Sequence, residues 1–152
     1  MTVTDAVARD ARPPLALVRI MNPVLRVLLR TPVGRLITPF ALLEFEGRRS
    51  GRRLRVPVGW QQVDGGHVVV TPAPWRVNFE GGRPVTVHAR GRRYDFIGTL
   101  DDDPDSVAVC LQHLAARHGS LRRIGVDVPP SHRITGADVR AVDRAVIHFE
   151  TR

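Results

Sequence analysis

Gly47-Arg48-Arg49-Ser50-Gly51-Arg52-Arg53-Leu54-Arg55-Val56-Pro57-Val58-Gly59-Trp60 holds the reading on which the fold turns. Five of its first nine residues are arginine, so the turn between Gly47 and Gly51 concentrates positive charge that needs a partner. Beyond it the side chains alternate. Leu54, Val56, Val58 and Trp60 share one face of an extended chain, and Arg53, Arg55, Pro57 and Gly59 share the other. The pattern predicts a strand over 52 to 62 whose apolar face enters a core. A glycine inside a strand often marks close approach by a ligand or another backbone, and guanidinium groups bind phosphate bidentately. The second face therefore suits a flat ring over Gly59 with a phosphate near Arg53 and Arg55, and Arg48, Arg49 and Ser50 add donors from the turn. A solvated basic hairpin without a ligand is the alternative these residues leave open.

Outward from this stretch the period of two continues, predicting strands at 41 to 46, 67 to 71, 84 to 90, 92 to 100 and 145 to 151. Asp64-Gly65-Gly66 and Arg90-Gly91-Arg92 supply tight hairpin turns, which implies antiparallel pairing. A helix is expected over about 104 to 118, introduced by Asp101, Asp102 and Asp103 at its positive end, and a shorter one near Thr135. Upstream, Leu15, Val18, Met21, Val24, Leu25, Leu28 and Leu29 fall at helical spacing, with Arg19, Arg26 and Arg30 among them. Pro23 bends or divides that amphipathic helix. The helix packs on the domain or makes transient contact with an anionic membrane surface. Six strands and a few helices make an α+β protein with a small antiparallel barrel.

The chain has 152 residues, 43% of them apolar and 25% charged, which suits a single domain over 1 to 152 with residues 1 to 14 as a flexible tail. Cys110 is the sole cysteine, which excludes a disulfide framework and points to the cytosol. Asp5, Arg9, Asp10 and Arg12 stand where a secretory segment would be apolar. The net charge of +8 is lopsided: residues 1 to 60 carry eleven arginines against four acids, whereas the remainder is nearly balanced. All 23 basic residues are arginine, as a GC-rich genome would favour, but composition does not place the excess in one half. An anionic partner does.

Several chemistries are disfavoured. His67, His88, His113, His118, His132 and His148 form no metal-binding spacing, Ser50 sits outside a G-x-S-x-G elbow, and Cys110 lies in an apolar helix pattern. Neither a Walker A nor a G-x-G-x-x-G motif occurs. Binding of nucleic acid through the arginine hairpin is a rival function, opposed by an aromatic content of only 5%.

Gly47 through Pro57 resembles the G-R-[RK]-[ST]-G-R hairpin, strand and proline of the deazaflavin (F420)-dependent nitroreductase family of split β-barrel oxidoreductases, common in actinobacteria. Asn22-Pro23 through Thr38 is similar to that family's amphipathic helix and turn, and Trp75 through Val87 to its W-x-x-N-L segment. The resemblance implies a split barrel and hydride transfer between reduced F420 and a small planar electron-poor substrate such as a quinone, nitro compound or activated alkene. It implies further that Arg48, Arg49, Ser50, Gly51, Arg53 and Arg55 meet the coenzyme's anionic tail. Val56, Pro57, Val58 and Gly59 would run beside the ring, and Thr71, Trp75, Arg76 and Asn78 would close the pocket. Arg76, Val77 and Ser120 replace residues usual in relatives, and the loop Pro72-Ala73-Pro74 is short. FMN is the alternative cofactor, and a haem-binding or cofactor-free binding module is the alternative role. Monomer and homodimer both remain open, and no catalytic side chain or metal is implied.

Overall fold

The computed structural model describes residues 9–10, 40–63, 65–122, 125–129 and 131–152. The helix expected over 15 to 30 and the segment from Asn22 to Thr38 lie outside the described residues. Nine strands are described: β1 (Arg9–Asp10), β2 (Phe40–Glu46), β3 (Arg53–Gly59), β4 (Gln61–Val63), β5 (Gly66–Thr71), β6 (Arg83–Ala89), β7 (Arg92–Asp101), β8 (Val126–Asp127) and β9 (Ala145–Thr151). A 3-10 helix spans Pro74–Phe79, and two α-helices follow, α1 (Pro104–His118) and α2 (Gly136–Val142).

Seven strands form one antiparallel sheet in the order β3-β2-β6-β7-β9-β5-β4, while β1 and β8 pair separately. The expected count of six is corrected to seven, because the strand predicted over 52 to 62 divides at Trp60. Alternation continues through that residue, so periodicity alone does not reveal the break. The chain nevertheless leaves its ladder with β2 at Gly59↔Phe40 and enters one with β5 at Gln61↔Val68. Since β3 and β4 occupy opposite ends of the sheet order, a one-residue link brings those ends within about 7 Å at this corner. The sheet must curl into a barrel-like shell.

Curling gives two cores. Inside, Ala41, Leu43 and Phe45 of β2 meet Val85 and Val87 of β6, Val58 of β3 and Ile147 and Phe149 of β9. Outside, Val107, Leu111 and Leu114 of α1 cover Val68 of β5 and Val146 of β9. Adjacent residues of β9 thus serve opposite cores, as a strand's alternation dictates. Each fully buried Leu, Ile or Phe contributes about 1.5–3 kcal/mol before entropy is counted.

Local chemistry sets the element ends. Asp103 caps α1 by accepting a hydrogen bond from the Ser106 amide at 2.9 Å, and Pro104 follows at the first helical position. Thr135 and Asp138 form a capping box at the start of α2. Arg90 and Gly91 join β6 to β7, both at positive φ (53° and 72°) as a type I′ turn requires.

Candidate functional site

The β2–β3 turn is closed by its own backbone. The Gly47 amide donates to the Arg52 carbonyl at 2.7 Å, and the Gly51 amide to the Gly47 carbonyl at 2.9 Å. Gly51 sits at φ 65°, and Ser50 Oγ accepts from the Arg52 amide at 3.2 Å. Ser50 is therefore a turn former, and the side chains of Arg48, Arg49 and Arg52 project from a fixed frame.

The 3-10 helix docks on this turn through Asn78. Its Oδ1 accepts from the Arg48 amide and its Nδ2 donates to the Trp75 carbonyl, both at 2.7 Å. The Arg48 guanidinium spans the same junction, donating to the Val77 carbonyl at 3.2 Å and to the Glu80 carboxylate at 2.8 Å. A cavity of about 750 Å³ opens here, with Arg48, Arg49, Ser50, Leu54, Val77 and Asn78 in its walls. Arg49 and Arg52 are exposed, and their side chains bond to nothing among the described residues.

Arg53 and Arg55 lie on the other face of β3 and do not line that cavity. Arg53 Nη2 stands 3.6 Å and Arg55 Nε 3.4 Å from the carboxylate of Glu44, which is only 7% exposed. His88 Nε2 approaches the same carboxylate at 3.3 Å. Glu44 was not among the sequence-derived site residues, yet hairpin pairing finds it: Glu46↔Arg53 closes the turn, so Glu44 falls opposite Arg55. The Glu44 carboxylate beneath two guanidinium groups fixes the arginines' stems, and Glu46, opposite Arg53 on the same face, balances their charge.

Along the same face come Pro57 and Gly59. Among the described residues a Cβ on Gly59 would meet only Gln61 Nε2, at 3.4 Å, and Gly59 is partly exposed. Among the described residues β3 has a ladder partner on one side only, β2, which leaves backbone groups on its other side available. Val56 and Val58 point inward, with Val58 buried in the interior core. They offer a ligand their backbone and not their side chains.

The loop residues separate. Thr71 is buried, and its Oγ1 accepts from the Ala73 amide at 3.0 Å, bracing Pro72-Ala73-Pro74. Trp75 packs against Phe45 and Phe79, with ring centroids 5.9 and 6.1 Å away. Arg76 turns to Asp143, Nη2 to Oδ1 at 3.0 Å. Of this loop's expected site residues, Asn78 alone touches the arginine hairpin through a described hydrogen bond.

Titratable groups elsewhere suggest no competing chemistry. Burial, with the charge of Asp101 adding to it, pushes the Cys110 thiol up to about 11, so it stays protonated near neutral pH. Ser120 is exposed, its Oγ accepting from the Arg122 amide at 3.2 Å. Among the described residues no group of three or more His, Cys, Asp or Glu is placed to hold a metal, and no helix is long and apolar enough to cross a membrane. The chain matches no protein-family model and no curated protein.

Proposed function

We propose that this protein is an F420-dependent oxidoreductase acting on a small planar electron-poor substrate. The observation that carries the reading is the outer face of β3. Arg53 and Arg55 stand at one end on Glu44, and Gly59 lies four residues beyond Arg55, about 13 Å along the strand, where only Gln61 among the described residues would meet a Cβ. An extended ligand with a flat head and an anionic stem fits that spacing. Arg49 and Arg52, free of described partners, supply positive charge around the hairpin and suit further carboxylates of an oligoglutamate tail.

Bound reduced deazaflavin supplies a hydride to an electron-poor acceptor. The chain's own residues bind and orient. Gly59 admits the ring plane, the edge of β3 that has no ladder partner among the described residues offers backbone hydrogen bonds, and Asn78 holds the hairpin in register with the 3-10 helix. Positioning of this kind lowers the barrier without a protein acid or base.

Isothermal titration of the full chain with oxidised F420, and separately with FMN, tests the reading. We expect micromolar F420 binding that weakens tenfold or more in Arg53→Ala/Arg55→Ala, since each charge-assisted hydrogen bond contributes about 1.5–3 kcal/mol. Arg49→Ala/Arg52→Ala weakens F420 but not FMN, which lacks the oligoglutamate. Thermal melts of both variants establish that they fold. Binding to FMN alone changes the cofactor, and binding to neither overturns the proposal.

A further inference from the structure

At the barrel end away from the arginine hairpin, inward-facing rows from three strands finish in aromatic rings. Trp60, just after β3, stacks on His67 of β5, with centroids 4.7 Å apart and planes 13° from parallel. Phe96 and Tyr94 of β7 stack at 6.0 Å, and Trp60 touches Phe96 at 5.9 Å. These two pairs wall a cavity of about 300 Å³, at the lower end of the range for small-molecule sites. Tyr94 remains 40% exposed, so the aromatic surface continues to the rim.

The polar part of the lining comes chiefly from Gln62 and Arg90, and no carboxylate contributes to it among the described residues. Arg90 holds φ 53° in a two-residue turn where Gly, Asn or Asp adopts that conformation at less cost. Strain of this kind at a cavity rim is a recurrent mark of a functional position. The Arg90 side chain makes no hydrogen bond or ion pair with a described residue. Burial first, and the Arg90 charge second, lower the pKa of His67, so near neutral pH the lining holds, among the described residues, Arg90 as its one fixed cation beside an uncharged imidazole, with Arg117 behind Gln62 at 3.3 Å.

We propose that this mouth binds a small planar aromatic carboxylate, its ring against Trp60 and Phe96 and its carboxylate on Arg90. The stacked walls favour a flat π surface over an aliphatic one. A single guanidinium suits one carboxylate, bound bidentately. The inference is independent of F420 binding, because none of these groups lies on the outer face of β3.

Proton–nitrogen NMR of the full chain tests it, with 2-naphthoate, neutral 2-naphthylmethanol and cyclohexanecarboxylate as probes. Arg90→Gly removes the cation while keeping a residue suited to positive φ, so its melting temperature should match or exceed that of the unaltered protein. We expect 2-naphthoate to shift the Trp60 indole N–H saturably and to leave that of Trp75 in place. Its affinity should fall tenfold or more in Arg90→Gly, and both other probes should bind more weakly than 2-naphthoate to the unaltered protein. Absence of a saturable shift, equal affinity for the acid and the alcohol, or undiminished binding by Arg90→Gly would overturn the assignment.

Discussion

A Cβ on Gly98 would lie 2.8 Å from Phe79 Cδ1, 3.0 Å from Cε1 and 3.3 Å from Ile147 Cγ2. Phe79 is fully buried and packs edge-on against Phe45 at 4.8 Å, so its ring has little room to retreat. Gly98→Ala should therefore destabilise the protein by about 1–3 kcal/mol, the usual cost of overpacking a filled core. Urea unfolding measures it. Phe79→Leu in the same background should restore part of the loss, and purely additive effects would show that the ring is not the obstacle. Gly59 and Gly98 are both strand glycines in the sequence, and both satisfy the rule that such a residue marks a close approach. One is partly exposed, with only Gln61 near it among the described residues, and the other presses on an aromatic ring. That difference depends on which neighbour the curled sheet delivers, and a single chain's local pattern carries no trace of it.

The hairpin and the 3-10 helix are separate elements joined by a few polar contacts, and Asn78 supplies two of them at 2.7 Å. Asn78→Ala leaves the Arg48 amide and the Trp75 carbonyl without that partner. We expect a stability loss of about 0.5–1.5 kcal/mol, since the junction is partly exposed and water replaces some of the bonding. Because the hairpin is then less firmly placed, F420 affinity should fall by more than melting temperature alone would suggest. Unchanged affinity in a destabilised variant would separate hairpin placement from ligand binding. At this scale the sequence is most readable: period two locates the ladders to within a residue, and Asp103 and Thr135 announce their helices. The pivot at Trp60 escapes because alternation continues through it. Arg53 and Arg55 are readable as a pair on one face, but their anchor, Glu44, emerges only when the turn's register is carried back along β2. The partition of Trp75, Arg76 and Asn78 into core, ion pair and hairpin contact escapes as well, because a 3-10 turn has no long apolar period to assign faces.

The two cores are not independent domains, because β5 and β9 belong to both. Val68 and Val146 face α1, while Val69 and Ile147 face the barrel interior. Removing packing under the helix must loosen strands that also seal the barrel, so the described chain should unfold in one cooperative step. Leu111→Ala provides the test, since Leu111 is 1% exposed and lies wholly in the helix-side core. Its loss should cost about 2–5 kcal/mol, by the removed contacts and the cavity left behind. Trp60 and Trp75 pack against the other core, so their fluorescence reports the barrel, whereas far-UV circular dichroism follows the helices as well. With shared strands, Leu111→Ala should lower the urea midpoint by the same amount in both signals and leave the two curves superimposed. A fluorescence midpoint that stays in place while the dichroism shifts would mean that β5 and β9 hold the barrel without α1. The outer face of β3 and the aromatic mouth, which rest on the barrel, would then keep their shape in a protein whose helices had already melted.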